Sequence, residues 1–356
     1  MKTVGIIFGG KSGEHEVSLV SATSVLREIP RDKYKAVEIG IDKKGNWYRG
    51  KGLLEKFKSG SFDSLVSVSF EEALEGCDIA FPVLHGPFGE DGTIQGLFEM
   101  MGIAYVGCGV LASSACMDKI ICKDVLDKAG LAIVPYVSFT REEWSAKSDD
   151  IVSKIENEVG YPCFVKPSNM GSSVGITKVV SGDGLNDAID FAAKFDSRVL
   201  VEKGINAREI ECAVLGNEDG EAAELGEILV GGEFYDYDDK YVDGKSSTQI
   251  PVKDLSDEKK KEIQEICVKA YKAMDCSGLS RVDCFLDRDT GEIYLNEINT
   301  LPGFTSISMY PQMWTASGVT YPELIDRLIE FGLDRFKERA KNQISFDSGS
   351  NWFKAS

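Results

Sequence analysis

Two short runs combine one cation with carboxylates and an amide: Arg281-Val282-Asp283 and Glu297-Ile298-Asn299. On a strand, residues i and i+2 share a face, so Arg281 sides with Asp283 and Glu297 with Asn299. Between them, Asp287-Arg288-Asp289-Thr290-Gly291 reads as a turn that folds one run onto the other. Hard oxygens beside a guanidinium suit Mg²⁺ carrying phosphate oxygens. They suit a surface salt-bridge cluster as well, because Cys284, Leu286, Ile293 and Ile298 already bury the opposite face.

A second run, Lys166-Pro167-Ser168-Asn169-Met170-Gly171-Ser172-Ser173-Val174-Gly175, ends an apolar strand on a lysine and continues into small residues. Glycine and serine let backbone amides approach a phosphate closely, and Lys166 would neutralise its charge. The alternative is an ordinary flexible hairpin loop. Glu202-Lys203-Gly204-Ile205 and then Glu209 follow another strand, where carboxylates beside exposed backbone could take a ribose and an adenine edge; alone the signal is weak. Glu14 and Glu16 open a helix, where acidic residues favour the dipole whatever else they do. His85 ends a strand inside a glycine-rich loop, a good place for a ligand and also an ordinary place for a structural histidine.

Two motif matches are decoys. Gly5-Ile6-Ile7-Phe8-Gly9-Gly10-Lys11-Ser12 fits the P-loop expression letter for letter. Its Ile-Ile-Phe core belongs to a buried strand, however, which leaves too few residues to wrap a phosphate. Gly107-Cys108-Gly109-Val110-Leu111-Ala112 fits a dinucleotide fingerprint, but a lone match of this kind is a weak signal.

The elements that must carry these residues are legible in outline. In the first hundred residues, strands at 4–8, 36–41, 79–84 and 104–106 alternate with helical spacing at Leu19, Ala22 and Leu26 and at 94–101. That alternation indicates a doubly wound parallel sheet, an α/β unit with ligands at the carboxyl ends of its strands. Beyond residue 107 the pattern changes to α+β. A helix at 119–129 leads to a strand at 134–140. The runs 161–166 and 175–180 make an antiparallel pair, and 199–202 is a further strand. The stretch 233–248 is polar, aromatic and without period, and reads as a long loop, typically a functional lid or disordered. Ile263, Ile266, Cys267, Ala270 and Met274 mark one amphipathic helix, and Leu324, Ile325, Leu328, Gly332 and Phe336 a closing one.

Composition bounds the function. At 356 residues, two or three domains are expected, and 43% hydrophobic with 28% charged residues is an ordinary globular balance. A net charge of −18 argues against general affinity for nucleic acid or anionic membrane. Two histidines argue against a multi-histidine metal site, and nine cysteines without a Cys-x-x-Cys pair read as reduced core residues of a cytosolic protein. The opening residues 1–10 hold too short an apolar run for a signal peptide, and no stretch approaches a membrane span.

Taken in order, the pieces resemble the ATP-grasp superfamily and, within it, the D-alanine–D-alanine ligase family, across nearly the whole chain. The resemblance rests on Glu16-Val17-Ser18-Leu19, His85-Gly86, Gly89-Glu90-Asp91-Gly92-Thr93, Met117-Asp118-Lys119, and Lys166-Pro167 with Gly171-Ser172-Ser173-Val174-Gly175. It continues through Tyr235-Asp236-Tyr237 with Lys240-Tyr241, Arg281-Val282-Asp283, and Asn296-Glu297-Ile298-Asn299-Thr300 with Pro302-Gly303-Phe304-Thr305. Any one motif is weak; the ordered set is not.

The resemblance implies three domains: a Rossmann-like unit at 1–107, a central ATP-grasp subdomain at 108–206 and a C-terminal one at 207–345, then a tail at 346–356. It implies a cytoplasmic, homodimeric enzyme that joins two D-alanine molecules with ATP, for peptidoglycan synthesis. Lys119, Lys166, Glu202, Glu209 and Lys240 would contact ATP, with Ile205 and Phe234 near the adenine, and Ser172, Ser173, Phe285 and Asn299 would complete the nucleotide set. Asp283, Glu297 and Asn299 would hold two Mg²⁺ ions, for which Mn²⁺ can stand. Glu16 would bind the ammonium of the first D-alanine in a hydrogen-bonded set with Ser172 and Tyr241, with His85 nearby. Arg281 and the backbone of Gly303 would stabilise the oxyanion, and Ser308 and Met309 would meet the second D-alanine's carboxylate. The loop 233–248 would be the lid that brings Tyr241 in.

Rival readings stay within reach. D-serine as second substrate keeps the fold; D-lactate is less compatible with the Lys240-Tyr241 pair, because ester-forming relatives tend to lack that tyrosine. Another acid–amine ligase fits poorly with Glu16-Val17-Ser18-Leu19, and a nucleotide-binding regulator fits poorly with an intact set of metal ligands and Arg281.

Overall fold

The computed structural model describes residues 1–62, 65–229 and 247–345. Most of the expected lid and the whole 346–356 tail lie outside these residues. The last two residues of that loop reading, Ser247 and Thr248, begin a short strand instead.

The first sheet contains β1 (Lys2–Gly9), β2 (Tyr34–Ile41), β3 (Trp47–Arg49), β4 (Ile79–Pro82) and β5 (Ala104–Tyr105), in the order β3-β2-β1-β4-β5. β1 runs parallel to both β2 and β4, and β4 parallel to β5. Six consecutive residues of β1, from Val4 to Gly9, are buried, the pattern of a strand covered on both faces. Ile6 and Phe8 face one core and Ile7 the other. The short β3 departs from the all-parallel expectation by pairing antiparallel at the edge of β2, one short turn after it. Helix α1 (His15–Glu28) follows β1 and buries Leu19, Ala22 and Val25 against it.

The second sheet is antiparallel, in the order β6-β9-β7-β8, from β6 (Tyr136–Thr140), β7 (Cys163–Pro167), β8 (Thr177–Val179) and β9 (Arg198–Lys203). Trp144, Ile155, Leu185 and Ile189 of the flanking helices pack on Val165, Val199 and Val201.

The third sheet is built on β10 (Ala207–Gly216) and β14 (Gly278–Asp287), which pair antiparallel over their full ten residues. β12 (Gly226–Leu229) and β13 (Ser247–Gln249) extend one side, and β15 (Ile293–Asn299) the other. Helix α6 (Lys119–Lys128) and helix α9 (Asp257–Ala273) help enclose the reverse-face core with Leu126, Ile263 and Cys267. All nine cysteines are free, and seven of them, Cys108, Cys116, Cys122, Cys212, Cys267, Cys276 and Cys284, line this one core.

The two ends of the chain share a core. Helix α11 (Tyr321–Arg339) sends Leu324, Ile325, Leu328 and Ile329 into the cluster that holds Val4, Ile6 and Phe8. At Gly332 it comes so close that a Cβ would lie 2.6 Å from the Tyr105 carbonyl oxygen and 2.9 Å from Ile79 Cδ1. This contact seats α11 on β5 and on the amino end of β4.

Candidate active site

The register of the third sheet makes a grid. Residues directly opposite across an antiparallel pair point to the same face. Glu209 of β10 lies opposite Phe285 of β14, which lies opposite Tyr294 of β15. The next rung is Glu211, Asp283 and Glu297; the third is Ala213, Arg281 and Asn299. Arg281 holds Asp283 with two parallel bonds of 2.7 Å, from Nε to Oδ1 and from Nη2 to Oδ2, and its Nε is 3.1 Å from Glu211 Oε2. Burial works against the guanidinium charge, but Asp283 and Glu211 outweigh it and hold the pKa well above its ordinary value. Arg281 is a fixed cation at every pH the protein meets.

A register shift between Asp283 and Cys284 makes this face possible. Asp283 pairs with Glu297 but Cys284 with Leu295, so Asn296 is an extra residue in β15. Strict alternation would put Leu295 and Glu297 on one face. The bulge resets the phase, so Leu295 and Ile298 both enter the core while Glu297 and Asn299 join Arg281 and Asp283.

The donors suit a hard cation. A carboxylate offers about four lone-pair sites, so Asp283 retains acceptor capacity beyond its guanidinium bonds, and Glu297 and the Asn299 amide oxygen share its face. Among the described residues, no three His, Cys, Asp or Glu side chains form a metal cage on their own. Two carboxylates and an amide therefore fit a cation that takes further oxygens from a substrate phosphate.

Lys166 leaves β7 toward the same region. It is 8% exposed, and its Nζ pairs with Oε2 of Glu202, which is 1% exposed. Lys123 of α6, also 1% exposed, pairs with Oε1 of Glu202 from the other side. Burial alone would raise the Glu202 pKa; the two lysines more than offset this and bring it down to about 2. Lys119 Nζ donates to the Met170 carbonyl oxygen at 2.6 Å. Asp118 caps α6 and also accepts from Ser168 Oγ and Asn169 Nδ2, both at 2.8 Å, which ties the helix start to the base of the glycine/serine loop. In that loop Ser172 and Ser173 adopt φ of 50° and 60°, the left-handed region. Ile205 lies half-buried between β9 and β10, and Phe285 half-buried on the third sheet.

The loops of the first sheet meet Ser172. Ser172 Oγ donates to Glu14 Oε1 at 2.6 Å. This corrects the expectation for Glu16, which points away and pairs with Lys43 on the surface, with side chains 67% and 64% exposed. The physical reason is local: Glu14 is the cap residue before α1 and belongs to the loop that meets Ser172, whereas Glu16 lies in the first helical turn and faces solvent. Gly86 has φ of 72°, and a Cβ there would lie 2.6 Å from Glu14 Oε2, so residue 86 must be small for the carboxylate to sit where it does. His85 is buried, with Nε2 3.0 Å from Ser21 Oγ and Nδ1 3.2 Å from the Leu301 carbonyl oxygen and 3.7 Å from Glu90 Oε1. Burial lowers its pKa, but the nearby Glu90 carboxylate and the charge of Glu14 prevail and raise it. A histidine raised in the fold adds stability below its ordinary pKa, and that stability is lost as pH rises through the raised value. Only two histidines contribute imidazole signals, so an NMR titration of the protein and of Glu90→Gln reads this directly. His85 is expected to titrate above the ordinary ~6.5 in the protein and below it in the variant; an unchanged midpoint would remove Glu90 from the account.

Gly303 and Ser308 meet at the start of helix α10 (Met309–Ala316): a Cβ on Gly303 would lie 3.0 Å from Ser308 Oγ. Ser308 Oγ is the acceptor for the Thr305 backbone N–H at 3.0 Å. The Met309 side chain is buried, and its Cε would meet a Cβ at Gly226 at 2.4 Å. At Met309, only the backbone at the helix start is therefore available to a carboxylate, not the side chain. Phe234, Lys240 and Tyr241 lie outside the described residues. Of the two decoys, Gly5–Gly9 runs inside β1 and Lys11 sits 4.9 Å over the Phe88 ring.

Three residues of the site escaped the sequence reading. Glu14 stands two residues before Glu16, to which the resemblance assigns the ammonium. Lys123 lies four residues after Lys119 on one helix face, a spacing that could have shown it. Glu211 follows Glu209 at i+2, but the strand that aligns them was not recognised.

Comparison with known proteins agrees with this geometry. The model of the D-Ala–D-Ala ligase N-terminus matches residues 3–108, and that of the C-terminus matches residues 125–330. A D-alanine–D-alanine ligase of Acetivibrio thermocellus is 48% identical over 96% of this chain and 98% of its own, and one of Clostridium acetobutylicum 49% identical over 94% and 98%. Among solved structures, the D-alanine–D-alanine ligase of Coxiella burnetii superposes with a TM-score of 0.84 at 35% identity, over 96% of each chain. The VanG D-Ala:D-Ser ligase of Enterococcus faecalis superposes with a TM-score of 0.83 at 40% identity, over 93% of this chain and 99% of its own. Full-length matches on this scale place the chain in the D-alanine–D-alanine ligase family.

Proposed function

We propose that the protein joins two D-alanine molecules into D-alanyl-D-alanine, with ATP as the energy source and ADP and phosphate as the other products. The observation that carries this reading is the near-full-length match to D-alanine–D-alanine ligases at 48% identity. The site offers the groups the reaction needs. ATP transfers its γ-phosphoryl to the first D-alanine's carboxylate, which gives an acyl phosphate. The second D-alanine's amine attacks the acyl carbon, a tetrahedral oxyanion forms, and phosphate leaves as the peptide bond closes.

Glu14, anchored by Ser172, is assigned the first substrate's ammonium. Lys119 and Lys166 are assigned the ATP phosphates, with Ser173 in the same loop; Ile205, Glu209 and Phe285 are assigned the adenosine, with only the backbone of Glu202, whose two carboxylate oxygens face Lys123 and Lys166. Arg281, clamped by Asp283 and Glu211, presents its remaining N–H groups to the oxyanion together with the Gly303 backbone. Ser308 and the Met309 backbone take the second carboxylate. Asp283, Glu297 and Asn299 would hold Mg²⁺, which when bound draws charge from the phosphoryl oxygens.

The division at 107 and 206 belongs to the same proposal and is supported by the three separate sheets. So does a cytoplasmic homodimer serving peptidoglycan synthesis, which rests on the family. Among the described residues, no helix is long and apolar enough to cross a membrane.

One observation favours a second reading: the 40% identity to a D-Ala:D-Ser ligase. Mass spectrometry of products from ATP, Mg²⁺, D-alanine and equimolar D-serine and D-lactate separates the two. Dominant D-alanyl-D-alanine with one ADP per dipeptide is expected. A dominant mixed dipeptide would move the second-substrate assignment to D-serine, and no product would overturn the reaction.

A further inference from the structure

Glu202 is a buried carboxylate with a lysine on each oxygen, Lys123 on Oε1 and Lys166 on Oε2. Lys166 and Glu202 stand on adjacent strands, where β7 pairs with β9 and Phe164 lies opposite Glu202. Lys123 arrives from α6, and its Nζ is also 3.5 Å from the carbonyl oxygen of Asn296, the bulged residue of β15. A single lysine against Glu202 would make a neutral pair. Two ammonium groups and one carboxylate leave one positive charge, and the exposures decide where it is available. Lys123 has a side chain 1% exposed, whereas that of Lys166 is 10% exposed.

We propose that Lys123 is a positioning residue that neutralises Glu202 and so leaves the charge of Lys166 to the nucleotide phosphates. The proposal rests on ATP as the nucleotide substrate. Lys123 touches no substrate; it acts through Glu202. A burial-only role for Lys123 is hard to sustain, because an unpaired ammonium in the interior is far costlier than an apolar side chain of similar length. Its bond toward Asn296 adds a second consequence: the same side chain reaches from the nucleotide strand to the bulge that turns Glu297 toward Arg281.

The test is a charge-rescue experiment. Lys123→Met is expected to raise KM for ATP at least tenfold and to leave KM for D-alanine within twofold. Adding Glu202→Gln in the same chain removes the carboxylate that now holds Lys166, and is expected to return KM for ATP to within threefold of the parent. Lys123→Arg, which keeps the charge, is expected to stay within threefold as well. A normal KM for ATP in Lys123→Met, or a double variant no better than the single, would overturn the proposal. Should Lys123→Met fail to fold, the two charge-balanced variants decide: a tenfold rise in either overturns it. Calorimetric titration with a non-hydrolysable ATP analogue, without any amino acid, repeats the comparison. It keeps a failure of the D-alanine assignment separate from a failure of the charge argument.

Discussion

Glu297→Ala is expected to lower turnover by ~10³-fold or more, with little loss of stability. Glu297 lies opposite Asp283 on the polar face of the third sheet, and it is only half-buried. Alanine there opens no cavity in the core, because the bulge has already turned Glu297 away from Leu295 and Ile298. What disappears is one of three carboxylates acting on Arg281, with Asp283 and Glu211, and its charge is among those that hold the guanidinium pKa up. A cation bound there would lose one of three protein oxygens. ADP release measured against Mg²⁺ concentration checks both parts. The variant should be inactive at ordinary Mg²⁺ and regain little at high Mg²⁺, while its melting temperature stays near that of the parent. Turnover within tenfold of the parent would remove Glu297 from the metal site.

The second large effect is a contrast between two glutamates two residues apart. Glu14→Gln is expected to raise KM for the first D-alanine by ~10–150-fold, the value of a charged hydrogen bond of about 1.5–3 kcal/mol. Glu16→Gln should change it less than twofold. Glu14 accepts from Ser172 inside the fold, under Gly86, where the amide of glutamine keeps the shape but not the charge. Glu16 shares its charge with Lys43 where both side chains are about two-thirds exposed, and a pair in that setting contributes at most ~1 kcal/mol. Initial rates across a range of D-alanine concentrations distinguish them. A large effect at Glu16 with a small one at Glu14 would restore the assignment made from the sequence.

That reversal shows where sequence reasoning stops. The motif letters locate a turn of helix, but not which side chain of the turn faces inward; that depends on where the loop 168–176 crosses α1. The hairpin of β14 and β15 was legible because its turn residues and alternating apolar positions agree. The phase change at Asn296 left only a faint trace, two polar residues between the apolar Leu295 and Ile298, which reads equally well as a strand losing its pattern near its end. The parallel sheet was legible from its buried runs, and β3 was not, because three residues with Trp and Tyr carry no period. β10 escaped because its first half, Ala-Arg-Glu-Ile-Glu, mixes charge into a strand whose polar face belongs to the site. Charged residues that serve a site erase the hydrophobic pattern from which a strand is recognised.

The contact of α11 with the first sheet bears on how the molecule comes into being. The residues that close the cluster around Val4, Ile6 and Phe8 are Leu324, Ile325, Leu328, Ile329 and Leu333, about three hundred positions downstream. A chain made from its amino end forms β1 well before α11 and must hold that side of the sheet without this cover until about three hundred further residues are synthesised. Surface that is silent in the finished protein is thus greasy and accessible while the intervening residues are made, and α11 acts as a late latch on the first sheet. A chain interrupted before residue 321 would carry every polar group of the site here described and still lack the piece that makes its first sheet safe in water.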